Sequence, residues 1–261
     1  MESTRLNKFI SHNSIYSRRE ADKLIQEKQV TLNGEVVENM ATQVSEEDLV
    51  KVKGKVVKDK SEEMYTVIVY NKAKGELVTK SDPRGRKTIF DNLAHKYKHF
   101  MPVGRLDYAS EGVLILSDSV DVVNSLMHSS LERVYKIKVN GMIGDDVINA
   151  MQTGLQLEDA SKGGHEASDI QEMNFAPFIS YQIISQGHNF SKIKVIITEG
   201  KNRELRRFFA NFDLDVVDLK RLDYGGITLN NLPTGKSRYL TREEYTNLRR
   251  YMKDLEKLND N

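Results

Sequence analysis

The feature that most constrains the fold is a series of apolar β segments after residue 61 that do not alternate regularly with helices. Strands are predicted at 64–70, 113–116, 134–139, 179–184 and 193–197. Helical patterns lie between only some of them, at 120–127 and 145–151, and Gly154 stands where a helix C-cap is expected. Because parallel strands need crossover helices, this order predicts an α+β fold with a central, mainly antiparallel sheet.

The beginning of the chain is expected to form a separate small domain. Apolar residues at helical spacing begin at Leu6, and Ser17 to Glu20 match a capping box ahead of a second apolar stripe. Asn33-Gly34 lies between alternating apolar residues, which is the strongest short hairpin signal, and a further β segment follows at 49–57. The pattern predicts two short helices and a small sheet. The charged stretch 58–63 is interpreted as a linker.

The charge balance excludes a uniformly basic nucleic-acid binder, but it leaves room for a basic surface. The 261 residues include 39 Lys and Arg against 38 Asp and Glu, a formal net charge of +1. Cysteine is absent and the six histidines lack metal-ligand spacing, so no metal site is expected. The polar start lacks a signal-peptide core, and no apolar run is long enough to cross a bilayer. A cytoplasmic protein without membrane contact is therefore expected.

Two stretches carry residues that are suited to chemistry. In the first, Gly104-Arg105-Leu106-Asp107 precedes an apolar strand, so that Asp107 is presented rigidly as a nucleophile, a base or a metal ligand. A turn-forming Asp is the commoner alternative. In the second, apolar residues of 199–212 share one helix face, and Arg203, Arg206 and Arg207 share the other. These arginines suit phosphate or carboxylate recognition, although a solvated face is the simpler interpretation.

Arg18 and Arg19 are placed unusually, in the first turn of the second predicted helix. The helix dipole disfavours positive charge there. A bound phosphate would reverse the effect, because both the free N–H groups and the two guanidiniums would face it. The alternative, in which both side chains reach into water, is equally compatible with the sequence.

These motifs together resemble a known family. Gly104-Arg105-Leu106-Asp107 resembles the catalytic signature of pseudouridine synthases, and residues 5–37 resemble the RNA-binding domain first seen in ribosomal protein S-four. Other matching stretches are 70–75, 82–88, 133–135, 199–207 and 222–227. From about residue 5 to residue 240 the chain resembles the RsuA/RluB/RluE/RluF family of ribosomal RNA pseudouridine synthases, with the RluB-like branch favoured. The resemblance implies an RNA-binding domain at 1–61, a catalytic domain at 62–241 and a C-terminal helix and tail at 242–261.

The resemblance also implies an activity and its residues. The family isomerises uridine in RNA to pseudouridine without a cofactor: the uracil is detached, rotated and rejoined through carbon five. By resemblance, Asp107 is the catalytic carboxylate, which attacks the ribose or deprotonates its 2′ carbon. Tyr135 matches the tyrosine that stacks on the flipped base, and Arg206 matches the partner of the catalytic Asp. The residues expected to bind RNA are Arg5, Lys8, Arg18, Arg19, Lys72, Lys74, Arg84, Arg86, Arg105, Lys201, Arg203 and Arg207.

The expected partner is ribosomal RNA, with a single-stranded or bulged target uridine whose base can be splayed out. A monomer acting on large-subunit RNA, either naked or in a pre-ribosomal particle, is the leading interpretation. Two alternatives stay open: a small-subunit target, and a non-catalytic RNA-binding factor for ribosome assembly.

Overall fold

The computed structural model describes residues 4–45, 48–57, 65–165 and 168–259. The chain divides into two compact units, Met1–Tyr65 and Thr66–Asn261. The interpreted linker at 58–63 lies outside the described residues.

The smaller unit contains two helices and a small sheet, as predicted. Its described elements are β1 (Thr4–Arg5), α1 (Leu6–Asn13), α2 (Arg18–Gln26), β2 (Val30–Leu32), β3 (Glu35–Val36), β4 (Gln43–Val44), β5 (Val50–Val52) and β6 (Lys55–Val56). One sheet has the order β3-β2-β5-β6, and β1 pairs with β4. Apolar side chains of both helices pack against the strands, with Leu6, Ile10 and Ile25 fully buried.

Local signals account for the turns of this unit. The capping box is present: Ser17 Oγ accepts a hydrogen bond from Glu20 N at 3.3 Å, and the Glu20 carboxylate accepts one from Ser17 N at 2.7 Å. Asn33 and Gly34 have φ values of 52° and 95°, which are the positive values a two-residue hairpin requires. The hairpin therefore joins β2 and β3 at the predicted position.

The larger unit is built around one long sheet. Its elements are β7 (Val67–Lys72), α3 (Ile89–Asn92), a 3-10 turn (His95–Tyr97), β8 (Met101–Pro102), β9 (Ser110–Ser117), α4 (Val120–Met127), β10 (Arg133–Asn140), α5 (Asp145–Thr153), β11 (Leu155–Leu157), β12 (Met173–Phe175), β13 (Ser180–Ser185), β14 (Phe190–Ile197), α6 (Glu204–Ala210), β15 (Val216–Tyr224), β16 (Ile227–Thr228), β17 (Ser237–Tyr239) and α7 (Arg242–Asn259). Gly154 follows α5 with φ 85°, at the expected helix end.

The sheet confirms the predicted α+β class. Its main order is β13-β14-β10-β15-β9-β7-β17, with β8 beside β9 and β16 beside β15. All pairs are antiparallel except β15 with β9. At this parallel pair Gly112 faces the backbone of Arg221 so closely that a Cβ would lie 2.1 Å from its carbonyl oxygen. Only glycine allows the two strands to meet there.

The central strand β15 is not among the predicted strands. Its sequence, Val-Val-Asp-Leu-Lys-Arg-Leu-Asp-Tyr, carries four charged residues, and its pairing with β10 is shifted by irregularities that break the alternation of faces. The charged residues are accommodated in different ways. Arg221 is buried and stacks over the Tyr224 ring at 5.1 Å, whereas Asp218 pairs with Lys74.

Candidate active site

The loop between β8 and β9 carries Asp107 and is tied to the end of β7. Gly104 turns the chain with φ 68°, and Ser110 N donates to the Asp107 carbonyl at 3.0 Å. Gly75 N, in the turn after β7, donates to the Tyr108 carbonyl at 2.8 Å. Asp107 is therefore presented on a loop whose backbone is bonded on both sides, as a catalytic group requires.

The buried side chain of Lys72 holds this loop in place through hydrogen bonds. Its side chain is fully buried, and its ammonium donates to the carbonyl oxygens of Ala73 at 2.9 Å, Asp107 at 2.9 Å and Ser110 at 2.7 Å. Burial lowers the pKa of Lys72 to about 8, although the neighbouring carboxylates of Glu76 and Asp107 oppose the shift. The prediction that Lys72 binds RNA phosphate is wrong for this conformation, because all three donors are directed at protein carbonyls.

Arg206 holds the Asp107 side chain. Its Nε lies 3.1 Å from Asp107 Oδ2, its Nη1 donates to the Val216 carbonyl at 2.9 Å, and its Nη2 donates to Ser110 Oγ at 3.2 Å. Arg203 adds a longer ion pair, with Nη1 3.6 Å from the same Oδ2. Among the described residues Oδ1 of Asp107 has no hydrogen-bond partner. One carboxylate oxygen is thus fixed, and the other is available for chemistry.

The Arg206 guanidinium is held in place by burial and by its ion pair with Asp107. Its side chain is only 10% exposed, and burial lowers its pKa, an effect that the Asp107 charge opposes. An arginine so placed remains charged, and its planar fork fixes the direction of the carboxylate. This ion pair is the pairing that the resemblance implies between the two residues.

Asp107 opens into a cleft of about 720 Å³. Six cationic side chains line it against three carboxylates: Arg105, Arg133, Lys201, Arg203, Arg206 and Arg221 against Asp107, Glu199 and Glu204. Tyr135 of β10 also lines the cleft, directly across the strand from Arg221, and is 7% exposed. The excess of positive charge favours an anionic ligand, and the tyrosine supplies an aromatic surface.

The helix α6 does not have the predicted solvated basic face. All seven of its residues are buried. The Arg207 side chain is fully buried, binds the Ala160 carbonyl through Nη1 and donates through Nη2 to Ser168 Oγ at 2.7 Å. Arg207 therefore anchors Ala160 and Ser168, which lie between β11 and β12, and its prediction as an RNA-binding residue is wrong for this conformation.

The other predicted RNA-binding residues have access to solvent, and they fall into two groups. Exposed in the smaller unit are Arg5, Lys8, Arg18 and Arg19. Exposed in the larger unit are Lys74, Arg84, Arg86, Arg105 and Lys201, while Arg203 is half-buried at the cleft. Arg86 is already engaged with Asp82, and Lys74 with Asp218. Arg105, Lys201 and Arg203 are the members of this set that line the cleft itself.

Three lining features were missed from the sequence. Burial, with the nearby charge of Glu199, raises the pKa of Glu204 well above its usual range. Arg133 donates to Tyr224 Oη at 2.9 Å and stacks over the Tyr224 ring, which fixes one wall. Glu199 accepts from Ala176 N at 3.1 Å. The only sequence signal for these residues was their position in the matched stretches 133–135, 199–207 and 222–227.

Within the described residues, no helix is long and apolar enough to cross a membrane. Nor does the described part of the chain bring three His, Cys, Asp or Glu side chains together in a group that could hold a metal ion.

Comparison with known proteins places this geometry in context. Residues 66–211 match the model of the RNA pseudouridylate synthase family, and residues 4–50 match the S4 domain. The chain is 51% identical over 250 residues to an uncharacterized RNA pseudouridine synthase of Helicobacter pylori, covering 96% of this chain and 95% of that protein. It is 32% identical to ribosomal large subunit pseudouridine synthase B of Bacillus subtilis over 247 residues, covering 94% and 95%.

A solved structure has the same fold. A crystal structure of a pseudouridylate synthase aligns with a TM-score of 0.61 and 24% identity, covering 94% of this chain and 99% of that one.

Proposed function

Because the chain belongs to the RNA pseudouridylate synthase family, we propose that it isomerises a specific uridine of ribosomal RNA to pseudouridine, with Asp107 as the catalytic carboxylate. The observation that carries this proposal is the Asp107–Arg206 ion pair in a cation-lined cleft, in which Oδ2 is held at 3.1 Å and Oδ1 is left open. No cofactor takes part in the proposed reaction.

Asp107 begins the reaction in one of two ways. Oδ1 attacks C1′ of the ribose and displaces the uracil, or it removes a proton from C2′ so that the glycosidic bond breaks by elimination. In both routes the carboxylate must be ionised and aimed, and Arg206 supports both requirements. The detached uracil rotates and its carbon five bonds to C1′, as the Asp107–C1′ bond breaks in the first route or as the proton returns to C2′ in the second. The hydrogen on carbon five is then released to solvent.

Tyr135 is proposed as the aromatic surface for the flipped base. Extruding a base from a helix costs a few kcal/mol, and stacking on an aromatic ring recovers part of that cost. The ring lies on the wall of the cleft that also contains Arg221. Arg105, Lys201 and Arg203 surround the same space, and we assign them to the phosphates beside the target.

The RNA class is proposed from the relatives. The Bacillus subtilis relative is named ribosomal large subunit pseudouridine synthase B, and so is a Pseudomonas aeruginosa relative that is 33% identical. We therefore propose large-subunit ribosomal RNA as the substrate, with a single-stranded or bulged uridine as the target. Arg5, Lys8, Arg18 and Arg19 of the smaller unit would bind its backbone, and the protein would act as a monomer in the cytoplasm.

The proposal is tested with purified protein and large-subunit RNA labelled with tritium at carbon five of uridine. Asp107→Asn should abolish tritium release while RNA binding persists, because the amide keeps the size of the side chain but cannot act as nucleophile or base. Asp213→Asn is the matched control, since Asp213 lies outside the cleft lining and pairs with exposed Lys162. Normal turnover by the Asp107 variant would show that Asp107 is not the catalytic residue.

A further inference from the structure

The tripeptide Lys-Ile-Lys occurs twice in the chain, and the fold places both copies side by side. Lys136-Ile137-Lys138 lies in β10 and Lys192-Ile193-Lys194 in β14. The antiparallel register sets Lys136 directly opposite Lys194 and Lys138 directly opposite Lys192. We call these four residues the lysine face. Neither copy falls in the segments that the family motifs identify.

The lysine face lies on the side of the sheet away from the cleft. Successive residues of a strand point to opposite sides. The alternate residues Tyr135, Ile137, Ile193 and Val195 are buried in the core, and Tyr135 lines the cleft. Lys136, Lys192 and Lys194 are exposed and Lys138 is half-buried. Any RNA that contacts these lysines is therefore bound outside the active site.

This arrangement is not explained by solvent exposure alone. An open sheet face needs polar residues, but like charges directly opposite each other on neighbouring strands are destabilising. Lys220 of β15 lies opposite Lys136 on its other side, so that three neighbouring strands present lysine in one row. β10 and β14 are interior strands, so these lysines do not serve to blunt a sheet edge.

Nearby acids neutralise only part of this charge. Asp218, opposite Lys138, pairs with Lys74, and Glu111 lies 3.7 Å from Lys220. Asp223 of β15 lies opposite Val134, on the same side of the sheet, and its charge attracts that of Lys194 without an ion-pair contact. Within the described residues none of the four ammonium groups of the lysine face has a carboxylate within ion-pair distance. The face thus keeps its charge available for a ligand.

We propose that the lysine face binds the phosphate backbone of an RNA helix outside the target nucleotide. Strand geometry sets the Cα atoms of the four lysines at the corners of a rectangle of about 5 by 7 Å, a rigid array of positive charge. Single-strand sites use aromatic platforms for base stacking. Here the exposed ring is Phe190, and Lys138 Nζ already covers it at 4.0 Å. The lysine face is therefore suited to the phosphate backbone of an RNA helix, which it would bind through charge and without sequence preference.

This inference rests on the proposed RNA substrate, and its test is separate from catalysis. The probe is a 20-base-pair RNA duplex without a target loop, and the measurement is the dependence of log K on log[KCl]. The quadruple variant K136A/K138A/K192A/K194A should lower the magnitude of the slope by about 3, since each phosphate contact contributes roughly 0.7 to 0.9. The charge-conserving variant K136R/K138R/K192R/K194R should keep the wild-type slope.

The control removes four exposed cations that lie elsewhere on the larger unit, in K98A/K236A/R250A/K253A. It should change the slope by less than 1.

The neutral lysine-face variant should melt at the wild-type temperature or higher, because like-charge pairs have been removed. An unchanged slope, or an equal fall in the control, overturns the lysine face as an RNA site and leaves the isomerase proposal intact. Inactivity of the enzyme, conversely, would not alter this binding result.

Discussion

Replacement of Lys72 by Met tests whether the buried ammonium positions the Asp107 loop. Met has a similar length and no charge, so three carbonyl oxygens lose their donor, at about 1 to 3 kcal/mol each. Burial lowers the pKa of Lys72 from 10.5 to about 8 against the opposing charges of Glu76 and Asp107, and a shift of this size corresponds to a net cost of roughly 3 kcal/mol that Met removes. The balance is a loss of between about 0 and 6 kcal/mol in the free energy of unfolding, with a midpoint of about 3 kcal/mol.

The effect on catalysis should be larger than the effect on RNA binding. The Asp107 carbonyl is one of the three that Lys72 holds, and a displacement of about 1 Å in the proposed catalytic group would cost on the order of 100-fold in rate. We therefore expect kcat, measured as tritium release under conditions where the variant is folded, to fall about 100-fold. Lys162→Met is the control, because that lysine is exposed, pairs with Asp213 at the surface and lies outside the cleft lining.

The pH profile separates positioning from general destabilisation. Above a pH of about 8 the Lys72 amine is neutral and has two N–H groups for three carbonyls, so wild-type kcat should fall as the pH rises through that value. Between about pH 8 and 10 the unfolded chain holds a proton that the folded chain lacks, so the free energy of unfolding should rise with pH. Lys72→Met should lose both trends. Wild-type kcat in the variant, with an unchanged pH profile, would refute the positioning role.

Two further predictions concern the other cationic residues. Arg206→Ala should lower kcat by about 100-fold or more with little change in RNA affinity. The reason is that the substitution frees Asp107 Oδ2 and leaves Ser110 Oγ without its donor. Single-turnover measurements check this prediction, and a loss confined to RNA affinity would contradict it. Replacing Arg18 and Arg19 by Ala should reduce the magnitude of the salt slope of RNA binding by about 1 to 2. An unchanged slope would indicate that both side chains are solvated and do not contact RNA phosphates.

Features that depend on a few neighbouring residues were predictable from the sequence. The capping box at Ser17, the hairpin at Asn33-Gly34 and the helix end at Gly154 all stand where the sequence places them. Each follows from local chemistry: a side chain that caps N–H groups, or a residue that accepts positive φ. The mainly antiparallel sheet follows from the order of strands and helices.

The misses share one physical cause, which is that sequence does not show where a charged side chain finds its partners. Lys72 and Arg207 look like surface cations, yet each is fully buried because backbone carbonyls satisfy its donors. The sequence pattern did not predict strand β15, because Arg221 occupies an inward position where an apolar residue is expected. Such partners come from segments far apart in the chain, so periodicity cannot reveal them.

The site was predicted only in part for the same reason. Asp107 and Arg206 are 99 residues apart in the sequence, and their pairing was inferred from the family motifs and not from spacing. The lysine face is the converse case. Its two Lys-Ile-Lys copies are visible in the sequence, but only the β10–β14 register makes them neighbours.

The most direct test of the central claim is a map of pseudouridines in the ribosomal RNA of cells that lack this protein, complemented with wild-type protein or with Asp107→Asn. The account predicts that one large-subunit position loses pseudouridine in the deletion, regains it with the wild type and stays unmodified with the Asp107 variant. Full modification of every site in the deletion, or restoration of the lost site by the variant, would contradict it.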